Sequence, residues 1–257
     1  MAYVTSAGVD IYYEVHGSGP KTMMLAHGMG GNAAIWFNQV AHLRDRYKVI
    51  AFDHRYFARS GCSVDEFSID LFADDAISIM DAENITSAVW ICQSMGGWTG
   101  SQMAVQHPER VEALIMSHTP GVFTDSSAVN DTSRIADIVA SGNLPALADD
   151  FPDKQPAQAL LYQAISSFNN IDSTVIPRKI GEAENGSLAI SSLDNYKVPT
   201  LFIGGDKDVL FASSFLEALA KALPGAQFKN LGAVGHSSYF ELPEAFNTAV
   251  DEFLESL

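Results

Sequence analysis

Ser94, Asp208 and His236 lie far apart in the chain, yet they are the residue types that together turn a hydroxyl into a nucleophile. Ser94 stands in "ICQSMGGW" (91–98), among small residues at the end of an apolar run. A serine hydroxyl attacks poorly until a base takes its proton, and histidine is suited to that work near neutral pH. The imidazole needs a carboxylate on its other nitrogen, to hold its tautomer and stabilise imidazolium. The chain order Ser, Asp, His is the one expected where the nucleophile sits on a strand-to-helix turn. Asp206, two residues from Asp208, competes for the acid's place.

Charge developing on a carbonyl oxygen needs N–H donors. Met95 follows the serine and opens a helical stretch, whose first N–H groups have no partner within the helix. The second donor is expected from the glycine-rich "HGMGG" (27–31), with Met29 as contributor and His27 bracing the loop. Residues expected to line a substrate pocket are His27, Gly28, Trp36, Tyr56, His118 and Phe123. Cys92 occupies the place of the first glycine in Gly-x-Ser-x-Gly, while Gly96 and Gly97 keep the helix side small. A small apolar cysteine packs there with a slight shift of the helix, and a thiol at a buried strand end is inert.

These groups can react only if the fold brings them together. Short apolar runs at 22–27, 48–53, 88–93, 111–117, 200–204 and 227–231 read as strands, preceded by a strand pair at 3–5 and 9–16. Between them, 33–43, 69–82, 95–106, 211–223 and 243–257 read as helices, an alternation that argues for a mainly parallel sheet covered on both faces. Ligands of such sheets bind beyond the carboxyl ends of the strands. Ser94, Asp208 and His236 each follow a strand.

From residue 119 to 196 the rhythm stops, and helical pieces rich in Ala, Ser, Asp and Asn replace it. So long an excursion is not an ordinary loop. It is expected to be a helical cap (119–196), inserted after the sixth strand between core segments 1–118 and 197–257. Val122, Phe123, Leu144, Leu147, Phe151, Leu160, Leu161, Tyr162 and Phe168 offer it an apolar surface, most of which should pack against the core.

The chain has 257 residues, 47% of them apolar and 18% charged, enough for one large packed core. A formal charge of −16 disfavours nucleic acid and anionic membranes as partners. Two cysteines, Cys62 and Cys92, make neither a disulfide framework nor a metal-ligand spacing. No run is long and apolar enough to span a bilayer, and residues 1–5 do not begin a signal peptide, so a cytoplasmic location is expected. Composition does not separate a monomer from a homodimer.

In order, "HGMGGNAAIW", "FDHR…SG", "SMGGWTGSQMAVQHPERVEALIMS", "GGDKDVL" and "GHSSYFELPEAF" resemble the α/β-hydrolase superfamily along nearly the whole chain. The run "SMGG…HPERV" is similar to that of small capped esterases and enol-lactonases such as the 3-oxoadipate enol-lactonases. The resemblance implies an α/β-hydrolase fold, with a mostly parallel eight-stranded sheet flanked by helices and an inserted helical cap. It also implies a Ser-His-Asp triad, an acyl-serine intermediate and no cofactor or metal. The family's Gly-x-x-Asp falls on Gly205–Asp208 and selects Asp208 over Asp206. Where the family shows Asp-x-Arg-Gly-x-Gly-x-Ser, this chain has Tyr56 and Ala58 at the glycines. The tyrosine would reshape the pocket wall, or the loop would take another path with the ring packed on the surface.

The expected activity is hydrolysis of small to medium carboxylic esters or lactones, small-molecule substrates, through an acyl-serine. One alternative is carbon–carbon bond hydrolysis of a dienoic acid, which wants a cation for the carboxylate; Arg134, Lys154, Arg178 and Lys179 are the cap's supply. The other is a ligand-binding member of the fold with slow or no turnover.

Overall fold

The computed structural model describes residues 1–130, 145–172, 174–193 and 195–257. The chain opens with strands β1 (Ala2–Ser6), β2 (Val9–His16) and β3 (Lys21–Ala26), helix α1 (Phe37–Leu43) and β4 (Tyr47–Phe52). It continues through α2 (Phe72–Ala82), β5 (Ala88–Gln93), α3 (Gly96–Gln106) and β6 (Val111–Ser117). Then come β7 (Phe123–Thr124), α4 (Phe151–Lys154), α5 (Pro156–Ser166), α6 (Val175–Glu182) and β8 (Leu188–Ala189). Last are β9 (Thr200–Gly204), α7 (Ser213–Ala222), β10 (Gln227–Asn230), α8 (Ser238–Glu241) and α9 (Pro243–Glu255).

Eight strands form one sheet in the order β1-β2-β4-β3-β5-β6-β9-β10. The β1–β2 and β2–β4 pairings are antiparallel, and the other pairings are parallel. The central strands read as continuous apolar runs because both of their faces are covered. In β3, Met24 and Ala26 enter one core cluster while Met23 and Leu25 enter the other. In β5, Trp90 and Cys92 face the first cluster, and Val89 and Ile91 face the second. Helices α2, α3 and α7 cover the first face through Ile79, Met103 and Leu216, and α1 and α9 cover the second through Leu43 and Phe246. The last strand, β10, shows Gln227 and Asn230 to solvent, a polar edge that discourages further pairing.

Some details depart from expectation. The helix at 33–43 begins as a 3-10 turn, Ala33–Trp36, capped by Asn32, whose side chain accepts from the Ala34 N–H. Strands β7 and β8 pair with each other, and their two-residue lengths carry no periodicity to read in advance. Leu160, Leu161 and Phe168 are exposed rather than packed on the core. Helix α5 buries Ala159, Tyr162 and Ile165, three residues apart, and both leucines fall off that stripe. Val122 and Phe123 lie inside the main core, while Arg134 and Leu144 fall outside the described residues. Among the described residues, no helix is long and apolar enough to cross a membrane.

Candidate active site

At the end of β5 the chain turns sharply into α3, and Ser94 takes φ +50° at the turn. A left-handed backbone costs a non-glycine residue about 1–2 kcal/mol, so the surroundings must over-determine it. They do so from both sides. The Ser94 N–H donates to Ser117 O of β6 at 3.0 Å, and Ser94 O accepts from Gly97 N–H at 2.8 Å. Gly96 lets the helix come down on β3, since a Cβ there would stand 2.2 Å from Ala26 O.

The three dispersed residues meet here. Ser94 Oγ lies 2.8 Å from His236 Nε2, and His236 Nδ1 lies 3.0 Å from Asp208 Oδ2. A carboxylate only accepts, so Nδ1 carries the proton and Nε2 faces the serine as a base. Asp208 Oδ1 accepts the Leu210 and Phe211 N–H groups at 2.8 and 3.2 Å. Burial alone would raise the Asp208 carboxyl. The neighbouring charge of His236 and the hydrogen bonds from His118 and His236 outweigh it, holding the group well below the usual carboxylate range. Asp206 points elsewhere, accepting from Asn230 Nδ2 at 2.7 Å on β10.

A cavity of about 540 Å³ opens over Ser94 and His236. Its wall includes Met29, Gln93 and Leu210 from the core segments and Leu147, Tyr162 and Ile171 from the segment between them. Asn169, Gln163 and Asp149 add polar atoms. Among the described wall residues there is no lysine or arginine. Lys207, close by in sequence to Asp208, is paired with Asp150.

The loop after β3 is tied on two sides. His27 Nε2 accepts the His54 N–H at 3.0 Å, which places the ring proton on Nδ1, 2.7 Å from Gly28 O. The same carbonyl accepts Gly31 N–H at 2.9 Å. Asn169 Nδ2 donates to Gly31 O at 2.9 Å, and Asn32 Nδ2 donates to Ile165 O at 3.0 Å, stitching the loop to α5 and the residues after it.

Met29, expected as an oxyanion donor, stands on the cavity wall, but none of the six residues expected to line the pocket does. His27 is fully buried and holds the loop, and Gly28 takes part through its carbonyl. Trp36 is buried against Tyr239, ring centroids 4.6 Å apart. Phe123 sits in the core with Tyr196 and Phe202. Tyr56 packs on Phe67, and its hydroxyl accepts the Asp172 N–H at 3.2 Å. His118 lies behind Asp208, with Nδ1 2.8 Å from Oδ2. These four bury their rings because each has aromatic or carboxylate partners that only the tertiary structure supplies. Missed in the sequence were Gln93 and Asn169. Gln93 carried a signal, since it precedes the serine; its Nε2 donates to His236 O at 3.0 Å and joins the two loops. Asn169 carried none.

A mostly parallel sheet, a serine on a strained strand-to-helix turn, and a histidine and carboxylate on later strand ends define a class. Residues 21–243 match the family model of the alpha/beta hydrolase fold, and the chain belongs to that family. It is 30% identical to a Caulobacter segnis protein that bears the provisional name carbamate hydrolase RutD, over 98% of this chain and 99% of that one. It is 24% identical to 3-oxoadipate enol-lactonase 2 of Acinetobacter baylyi, over 98% of this chain and 96% of the relative. Among solved structures, Est816, described as an N-acyl homoserine lactone degrading enzyme, superimposes with a TM-score of 0.82 at 25% identity, covering 98% of this chain and 100% of its own.

Proposed function

We propose that this chain is a serine hydrolase of uncharged carboxylic esters and lactones, with residues 119–196 as a cap over the substrate. The observation that carries the reading is the 2.8 Å contact between Ser94 Oγ and His236 Nε2, both of which line the cavity. Ser94 Oγ bonds to the carbonyl carbon while its proton passes to Nε2. The carbonyl electrons move onto the oxygen, held by the Met29 and Met95 N–H groups. Collapse expels the alkoxide, which takes the proton from His236, and leaves an acyl-serine. Water then repeats the sequence, returning Ser94 and releasing the acid. Relatives named for carbamates and for lactones fit the same step, since each substrate presents an acyl carbonyl.

Wall charge supports an uncharged substrate. The described wall holds Asp149 and no cation, which disfavours the carboxylate of a dienoic acid. Of the cations weighed for that acid, Lys154 pairs with Asp150, and Arg178 and Lys179 pair with Glu182.

The test is covalent. A fluorophosphonate probe should label the protein at Ser94, as read by peptide mapping. Ser94→Ala should lose the label and at least about 10³-fold in kcat on p-nitrophenyl butyrate. A panel with a neutral lactone, a carbamate and a dienoic acid separates the readings. Turnover of the dienoic acid alone would move the assignment to carbon–carbon hydrolysis. No label and no turnover would leave a binding protein.

A further inference from the structure

His118 is a buried histidine that the triad chemistry does not use. It follows directly on β6 at φ +53°, fully buried, at the end of the strand beside the one that leads into Ser94. Its Nδ1 lies 2.8 Å from Asp208 Oδ2, the same oxygen that lies 3.0 Å from His236 Nδ1. The two rings stand edge to face, with centroids 5.7 Å apart. Because the oxygen only accepts, His118 also carries its proton on Nδ1. Its Nε2 finds no hydrogen-bond partner among the described residues.

The carboxylate is therefore saturated. Two backbone N–H groups meet Oδ1 and two imidazole N–H groups meet Oδ2. A carboxylate offers about four acceptor sites, and here all are occupied. The backbone donors and His236 follow from the fold and the reaction. His118 is the additional one.

We propose that His118 is a positioning residue for the reaction at Ser94. By donating to the oxygen that serves His236, it fixes the plane of the Asp208 carboxylate and divides that oxygen's negative charge between two imidazoles. The inference rests on reading Ser94, His236 and Asp208 as the reacting set. Sharing the oxygen weakens its hold on the imidazolium that forms on His236 when Ser94 gives up its proton, and without the second donor that hold tightens. Burial keeps His118 itself neutral, outweighing the pull of Asp208 toward the charged form. Among the described residues, Glu241 also faces the cluster, its charge reaching His236 and its Oε2 accepting the Gly235 and Ala148 N–H groups, and Asp149 shares the cavity wall with His236.

The experiment follows the pH dependence of kcat/KM, or of the fluorophosphonate labelling rate, in two variants. His118→Leu removes the donor, and the acid limb should move up by roughly 0.5–1 pH unit, a loss of about 3–10-fold below the limb and little above it. His118→Asn puts an N–H donor near the place of Nδ1 and tolerates the left-handed backbone, so its limb should stay at the wild-type position. A merely structural role lowers the rate equally at every pH, and a limb that does not move in His118→Leu overturns the proposal. So does a limb that His118→Asn fails to restore.

Should the leucine variant not fold, ¹⁵N-histidine spectra of the wild-type protein decide. His118 should carry its proton on Nδ1, and that resonance should shift when Ser94 is phosphonylated and the charge on His236 changes. A proton on Nε2, or a resonance indifferent to the adduct, overturns the proposal. Labelled Ser94 with an unmoved limb removes this inference alone; unlabelled Ser94 removes the reading beneath it.

Discussion

Cys92 stands where a glycine would give the serine turn most room, and the room is found on the helix instead. A Cβ on Gly100 would fall 2.4 Å from Cys92 Sγ and 2.6 Å from Leu114 Cδ1. The thiol thus fills the space that a bare Gly100 leaves in α3, and burial pushes it well above the ordinary cysteine range, so it is inert. Overpacking costs about 1–3 kcal/mol, and alanine in place of a helix glycine returns about 1. Gly100→Ala should therefore lose about 1 kcal/mol in urea unfolding. Combined with Cys92→Ala the loss should shrink, with a coupling of about 1 kcal/mol. Strict additivity would mean that the sulfur is not what keeps residue 100 a glycine.

At the scale of an element, the turn at 53–61 keeps its left-handed steps without glycines. Tyr56 has φ +79° and Ala58 has φ +40°. The turn is held by Tyr56 N–H to Ser60 O at 2.8 Å, Ser60 Oγ to Asp53 O at 2.8 Å, and Arg59 across Asp53. The two positions should respond in opposite directions to glycine. Ala58→Gly relieves strain of roughly 1–2 kcal/mol against an unfolded-state entropy of about 0.4–1, for a gain of about 0.5 kcal/mol. Tyr56→Gly relieves the same strain but loses a buried ring and its bond to Asp172, for a net loss of about 2–3 kcal/mol. Equal shifts in urea midpoint would contradict the assignment of Tyr56 as the anchor between this turn and the residues after α5.

For the whole molecule, buried neutral histidines set the response to acid. Burial lowers His27 to about 4 and His54 well below its ordinary 6.5. An unfolded chain takes up these protons first, so the stability is present above about pH 6.5 and lost as the pH falls toward the folded values. By pH 5 His27 should have withdrawn about 2 kcal/mol, and His54 and His118, lowered by burial as well, act in the same direction. Glu241, raised by burial, works the other way and returns part of it. The unfolding free energy from urea titrations should fall by about 2 kcal/mol or more between pH 7 and pH 5. A flat profile would mean that His27 and His54 take up protons without unfolding the chain.

Much of this was legible before any coordinates, because strand and helix periods are local and reactive residues gather where parallel strands end. Ser94 and His236 could be named from type, order and flanking elements, the acid was narrowed to Asp206 or Asp208 with the family resemblance favouring Asp208, and the structure brings Ser94, His236 and Asp208 into contact. The sheet itself follows from apolar runs buried on both faces. Other matters waited for the fold. Asp208 faces His236 while Asp206 faces Asn230, a difference of two residues along one loop. His118, Tyr56, Trp36 and Phe123 sit near strand or loop ends, yet their rings turn inward to partners as much as 203 residues away, from position 36 to position 239. The cavity wall draws on α5, Asn169 and Ile171, whose inward face follows from packing against the loop after β3. Residue type and spacing carry chemistry and period, but the direction of a side chain depends on long-range partners, and only tertiary contact supplies those.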